Sequence, residues 1–376
     1  MKFRFLLFTF YFLLFSASAQ DSSRIRISLL TCTPGDELYS LFGHSALRVI
    51  DSNSVTDHVY NYGTFNFDDP SFYLNFTRGK LLYYVSLEYF EDFKNLYQYT
   101  RREITEQVLQ LSAEEEKNIQ QFLINNLKEE NRYYKYDFFF DNCTTRLRDI
   151  INKFKTPTPL LPAVKPANMR FRQAIHEYLN KGGQQWSKFG IDILLGARTD
   201  RMMTAAEQQF LPDNLMMAID SNRNGRLVSS SKKLYSLDAT TKPTNFFTPF
   251  VIFTLLFILF AFLHFSKKFP LLLAGLDGLL FFLTGLLGFI LIFMWTATDH
   301  SMTKDNYNLL WALPTHLFAS FFILSKKQFI KKYFLFTALA ALLLLMAWYF
   351  LPQQLNTALL PLQLLLMFRA WARSNV

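Results

Sequence analysis

Charge and cysteine are both scarce in this 376-residue chain: 18% of the residues are charged, and the cysteines number two, Cys32 and Cys143. A soluble domain is nearer one quarter charged, so the first shortage argues against a purely aqueous protein. The second leaves room for one disulfide at most, and none of the six histidines joins a His/Cys cluster with zinc-ligand spacing. An internal repeat and a phosphate-cradling glycine loop are also missing, so no motif asks for a metal or a cofactor. The formal charge of +9 is concentrated at the two ends. Residues 1–19 hold Lys2 and Arg4, residues 245–376 hold nine basic and three acidic groups, and the middle keeps only +1. That excludes the basic patch a nucleic-acid partner would need.

What is abundant is apolar: 51% of residues are hydrophobic and 17% aromatic. Residues 1–19 read as a signal peptide, with Lys2 and Arg4, an apolar run over 5–15, and the small residues Ala17-Ser18-Ala19 before Gln20. No cysteine follows this run, so the chain is not itself read as a lipoprotein. Beyond a periplasmic domain at 20–219 and a polar linker at 220–245, residues 246–376 give five apolar stretches: 246–265, 270–295, 308–324, 333–351 and 355–368. Most approach the ~20 residues needed to cross ~30 Å of hydrocarbon, the last being short. With the middle segment outside, the cytoplasmic loops hold Lys267, Lys268, Lys326, Lys327, Lys331, Lys332, Arg369 and Arg373, against Lys304 alone on the other side. Eight against one obeys the positive-inside rule and points to a multi-pass inner-membrane protein. Asp277 lies inside the second stretch, where charge is costly; it reads as a functional charge or as a neutral or water-exposed aspartate near the cytoplasmic rim.

The middle segment has mixed periodicities. Strands are expected at 25–33, 45–50, 58–62, 81–87 and 104–111, then a helix capped by Ser112 and Glu115, an aromatic strand over 132–140, and a helix over 143–154 that Asp141-Asn142 opens. A further helix is expected at 171–179. The apolar run 186–196 (WSKFGIDILLG) reads as core, a lid or an acyl groove.

Chemistry is best sought at the cysteines. An even pair outside the cytoplasm suggests a disulfide. Against this, Cys143 sits near the start of a helix, where unpaired backbone N–H groups favour thiolate and can hold an oxyanion, with Asp141 as N-cap opposing the first effect. Cys32 reads as a buried small hydrophobe. A thiol nucleophile wants an imidazole base, and His44 and His58 are the histidines beside the expected sheet. Asp57 and Asn61 both offer an acceptor for the ring N–H.

Histidine on an early strand, a polar residue on the next and cysteine at a later helix start is the order of circularly permuted papain-like folds, similar to NlpC-type hydrolases and lecithin:retinol acyltransferase. More closely, the chain resembles the Bacteroidota lipoprotein N-acyltransferase family Lnb. The matching stretches are Thr33-Pro34-Gly35-Asp36, FGHSALRV (42–49), VYNYGTF (59–65), Glu106-Gln107, Asn131-Arg132, DNCTTRLRD (141–149), WSKFGIDILLG (186–196), and Thr298-Asp299-His300 through NYNLLWALP (306–314). The resemblance implies an α+β permuted papain-like cysteine-enzyme domain followed by an all-α transmembrane bundle of about five helices. It implies Cys143 as nucleophile and His44 as base, with Asn61 and Asp57 left as candidates for the third residue. Asn142, Arg146 and Tyr62 are then expected at the substrate, as are His300 and Asn308. These last two cluster with Asp299, Asn306 and His316 at the outer ends of the second and third stretches, and the cluster reads as a lipid-headgroup site or as ordinary interfacial polar residues. The implied partners are a phospholipid acyl donor and a diacylated lipoprotein acceptor. Two other readings stay open: a membrane-anchored cysteine amidase acting on cell-wall peptides, and a binding or sensor module held by a Cys32–Cys143 bridge.

Overall fold

A computed structural model of the chain describes residues 24–237 and 246–375, so the expected signal peptide and part of the linker lie outside the described residues. Seven strands form one antiparallel sheet in the order β6-β4-β3-β2-β1-β5-β7. They are β1 (Ile25–Cys32), β2 (His44–Asp51), β3 (Thr56–Thr64), β4 (Leu82–Tyr89), β5 (Ile104–Leu109), β6 (Tyr133–Lys135) and β7 (Val228–Tyr235). The interior strand β1 is apolar on both faces. Ile27 and Leu29 enter one core, Leu30 and Cys32 the other, and all four are fully buried, as the alternating pleat requires. Each aliphatic side chain so buried contributes about 1.5–3 kcal/mol.

The helices follow. α1 (Phe72–Thr77) lies between β3 and β4, and α2 (Phe90–Tyr99) covers the second core with Phe90, Phe93 and Tyr97. α3 (Ala113–Asn126) and α4 (Cys143–Phe154) close the first core with Ile119, Leu123, Leu147 and Ile151. The Ser112/Glu115 capping box opens α3 as expected. Two expectations change. Over 132–140 only Tyr133–Lys135 pairs as strand; the chain then turns because the Asp137 carboxylate accepts the amides of Phe139 and Phe140. Part of the expected linker, Val228–Tyr235, instead pairs with β5, and its exposed serines and lysines suit a sheet edge.

α5 (Phe171–Lys181), α6 (Gln185–Leu194) and α7 (Pro212–Asp220) complete the first domain. Arg172 of α5 is fully buried, 2.9 Å from Asp192 and 3.0 Å from Asp200, and it also donates to the carbonyls of Leu195 and Gly196. This fixes the end of α6 where it meets the helical C-terminal region.

That region holds α8 (Pro249–Ser266), α9 (Pro270–Thr296), α10 (Gln328–Ala347) and α11 (Leu359–Ser374). Among the described residues three helices are long and apolar enough to cross a membrane: Pro249–Ser266, Pro270–Thr296 and Gln328–Phe350. The expected stretch 308–324 is a broken run of short helical turns around Thr315–Ala319. It lies so close to α9 that a Cβ on Gly285 would sit 2.0 Å from the Leu317 amide nitrogen, and one on Gly288 2.1 Å from the Ala312 carbonyl oxygen. The fifth stretch is the 16-residue α11, packed between α8 and α10. Asp277 is neither exposed nor alone. Arg369 grips both carboxylate oxygens, at 2.7 and 2.8 Å, and Arg373 adds a third contact at 2.6 Å. A buried carboxylate needs such partners, and the two arginines read as cytoplasmic tail charges supply them from within α11.

Candidate active site

The start of α4 is built by Asn142. Its extended backbone makes it the N-cap, and its Oδ1 accepts the amides of Thr144 and Thr145, each at 2.8 Å. Its Nδ2 donates to the carbonyls of Phe138 (2.7 Å) and Phe210 (2.9 Å), so the side chain expected at the substrate is a buried structural peg. Asp141, expected as the cap, instead receives a two-pronged contact from Arg146 at 2.7 and 2.8 Å. Cys143 therefore occupies the first helical position. Two of the first-turn amides expected to face a ligand are taken by Asn142, whereas the Cys143 amide has no intrahelical acceptor.

His44 reaches the thiol from the start of β2. Gly43 turns the chain there with φ +81°, and a Cβ on it would lie 2.7 Å from the Cys32 carbonyl oxygen, so only glycine fits. Across β3, Asn61 Oδ1 is 3.1 Å from His44 Nε2, and Asn61 Nδ2 donates to Glu88 Oε1 at 2.5 Å. Because Glu88 takes the amide nitrogen, Asn61 must turn its oxygen to the ring. Nε2 then carries the hydrogen, and Nδ1 is left for Cys143. Asp57 is not brought to this ring; Arg48 holds it at the other end of β3, at 2.6 and 2.8 Å. His58 packs against Tyr89 instead.

The electrostatics agree with this geometry. Burial alone would push the Cys143 thiol up. The charge and hydrogen bond of His44, the Ser45 amide and the Thr144 hydroxyl outweigh it and bring the pKa from 9.0 down to about 7. Burial likewise opposes protonation of His44, but the Cys143 charge and the hydrogen bonds to Cys143 and Asn61 raise it. Burial pushes the Glu88 carboxyl up against the pull of Asn61. Both cysteines are free, and nothing bridges Cys32 to Cys143.

Three further residues frame the thiol. Gly63, at φ +89°, would place a Cβ 3.5 Å from Cys143 Cβ, 3.6 Å from Tyr136 and 3.9 Å from the Tyr134 hydroxyl, so its lack of a side chain keeps the approach open. The Tyr134 hydroxyl is buried and has no hydrogen-bond partner among the described residues. Neither Tyr134 nor Glu88 follows from the sequence pattern; the aromatic run 132–140 is the one available signal for the former.

The other expected site residues scatter. Tyr62 is a buried core residue whose hydroxyl accepts from Asn126 at 2.6 Å. Arg146 lies 3.5 Å over the Tyr134 ring while holding Asp141. Asn308 is fully buried and donates to the carbonyls of Asp192 and Ile193, so it joins the two domains and does not face a headgroup. His300 donates to the Phe76 carbonyl at 3.0 Å. The same outer loop pins the segment beside the thiol: Lys135 pairs with Asp299 at 2.5 Å, and Ser301 donates to Asp137 at 2.9 Å. The segment that leads into the helix of Cys143 is thus tied to the loop after α9 in the helical region. Among the described residues no group of His, Cys, Asp or Glu is arranged to hold a metal ion.

A family model described as the Lnb N-terminal periplasmic domain matches residues 14–177, and one described as the Lnb transmembrane domain matches residues 241–375. No curated protein and no solved structure matches the chain.

Proposed function

The chain belongs to the Lnb family in both its periplasmic and its transmembrane part, and on that premise we propose that it is an inner-membrane lipoprotein N-acyltransferase working through a Cys143 thioester. What supports this reading is the run Cys143–His44–Asn61–Glu88 in a domain whose segment leading to Cys143 is tied through Lys135 and Asp299 to the loop after α9. A soluble substrate would not need that placement, whereas two lipid substrates would.

In the first half-reaction His44 Nδ1 takes the Cys143 proton, and the thiolate attacks the ester carbonyl of a phospholipid. The tetrahedral oxyanion is met by the Cys143 amide and by the Tyr134 hydroxyl, the buried donor that has no partner among the described residues. Collapse breaks the ester C–O bond. His44 returns the proton to the departing oxygen, and lysophospholipid leaves. In the second half-reaction the α-amine of a diacylglyceryl-cysteine lipoprotein attacks the thioester, His44 accepts the amine proton, and the thiolate departs as the amide forms. Splitting one ester-to-amide exchange in this way replaces a hard step by two easier ones. Asn61 keeps the imidazole in the productive tautomer through both halves, and Glu88 keeps Asn61 turned toward it.

Intact-protein mass spectrometry tests the reading. Incubated with phospholipid vesicles and no acceptor, the chain is expected to gain one acyl mass on Cys143, removable by neutral hydroxylamine. No adduct on Cys143, with cleavage of cell-wall peptides by the same preparation, would replace the acyltransferase with the amidase.

A further inference from the structure

α1 has an unusual surface for a six-residue helix in a folded domain. Phe72 is buried, but Tyr73 is 75% exposed, Leu74 60% and Phe76 49%, and Leu38, Tyr39 and Phe67 lie exposed in the same domain. An aqueous protein seldom leaves such apolar side chains grouped in water. The patch also leads somewhere. Ring centroids run from Tyr39 to Phe67 (6.4 Å), Phe67 to Phe65 (4.7 Å), Phe65 to Tyr83 (5.2 Å) and Tyr83 to Tyr136 (4.2 Å). Tyr136 and Cys143 are both in contact with the Gly63 position. Phe72 of α1 joins this run at 4.9 Å from Phe67, with Phe76 6.1 Å beyond it, so a continuous aromatic path links α1 to the thiol.

The height of this patch is fixed by covalent and hydrogen bonds to a membrane span. The Phe76 carbonyl accepts from His300, and the Arg78 carbonyl accepts the Asp299 amide at 2.9 Å. Asp299 follows the last residue of α9, Thr296, by three residues, which is at most about 10 Å of chain. α9 has 27 residues, or about 40 Å at 1.5 Å per residue, against a hydrocarbon core of ~30 Å. The outer end of α9, and α1 with it, accordingly falls in the interfacial zone, where aromatic side chains concentrate in membrane proteins. Lys80, Lys135 and Lys304 gather around Asp299 at the same level, offering positive charge where headgroup phosphates lie. The far end of β3 faces the other way. Val55, 90% exposed in the β2–β3 turn, stands at the opposite end of a nine-residue strand, roughly 27 Å from the α1 end at about 3.4 Å per residue.

We propose that α1 and its exposed aromatic neighbours form a lip that dips into the outer leaflet and leads the acyl chain of a bilayer phospholipid along the ring path to Cys143. The lip deepens the acyltransferase reading and rests on it for the identity of the donor.

The test uses the full chain in phospholipid nanodiscs. With Cys143→Ser removing the reactive thiol, a nitroxide is attached through Leu74→Cys or, separately, Val55→Cys, and its collisions with oxygen and with a water-soluble nickel chelate are compared. A label at 74 should be shielded from nickel at least fivefold more than one at 55, and equal access to nickel at both positions would overturn the lip. In the second arm, Tyr73→Ser, Leu74→Ser and Phe76→Ser are combined in the chain with Cys143 intact. Thioester formation from bilayer phospholipid should fall at least tenfold, while the pH midpoint for alkylating Cys143 stays near 7 and shows the thiol site intact. An unchanged thioester rate would likewise overturn the proposal. A shielded label at 74 in a chain that never forms a thioester would uphold the lip and sink the acyltransferase reading.

Discussion

Cys32 and Cys143 lie in one domain on either side of His44, Cys32 paired opposite it on β1 and Cys143 in contact with it from α4, and their surroundings give the same thiol opposite chemistry. Cys32 ends β1, wholly buried between Leu30, Ala46, Phe93 and Tyr97; burial outweighs the nearby Arg102 and pushes its pKa up to about 12. Cys143 is half-buried at a helix start, and His44, the Ser45 amide and Thr144 overcome burial to bring it down to about 7. Near neutral pH one is a small hydrophobe and the other is substantially thiolate, the form that attacks carbonyls. Side-chain identity therefore says little here; an imidazole in reach, with the Ser45 amide and the Thr144 hydroxyl, sets Cys143 apart from Cys32.

The largest break in the comparison comes from Cys143→Ala, which should lower acyl transfer by about 10⁴-fold or more, measured as lysophospholipid release, because the covalent step is lost. His44→Ala should cost about 10²–10⁴-fold and should also move alkylation of Cys143. The folded thiol pKa is depressed, so iodoacetamide reactivity of the native chain rises as pH passes upward through about 7 and fades below it. Without His44 the main lowering influence is gone while burial and the weaker pulls of Ser45 and Thr144 remain, so the midpoint should climb; a midpoint still near 7 would show that His44 does not set the thiolate. Tyr134→Phe removes one oxyanion donor and should reduce turnover by about 10²-fold, with that midpoint unmoved. Glu88→Gln, which weakens a charge-assisted bond to Asn61, should cost about tenfold. The smallest catalytic effect belongs to Cys32→Ser. Its rates should stay within about twofold, while denaturant titration shows a loss of about 1–3 kcal/mol from placing a hydroxyl in an apolar core. A tenfold loss of rate there would erase the contrast between the two thiols.

Much of this arrangement is legible in the sequence, because it depends on local pattern. Pro34-Gly35 stops β1, Ser112 and Glu115 cap α3, and a helix starts at Cys143. The charge asymmetry of the loops and the apolar stretches likewise mark the C-terminal region as membrane-spanning. What stayed illegible depends on partners distant in the chain. Asn61 and Asp57 look equivalent on β3 until Arg48 is seen holding Asp57. Glu88 matters only because β4 pairs Ser86 opposite Asn61 and so sets Glu88 diagonally to it. Asn142 and Asn308 read as ligand-facing polar residues, but their amides satisfy backbone carbonyls that packing has cut off from water. Asp277 finds Arg369 across 92 residues of sequence, a pairing no local periodicity contains. The aromatic patch of α1 belongs to the same class, since its height above the membrane is set by a loop more than two hundred residues later.

Mass spectrometry of lipoprotein N-termini from cells whose sole copy of this protein carries Cys143→Ser tests the central claim most directly. The account predicts a free α-amine and a mass lower by one acyl chain, restored by the native chain and by Cys32→Ser. Lipoproteins that remain N-acylated in the Cys143→Ser cells would contradict it.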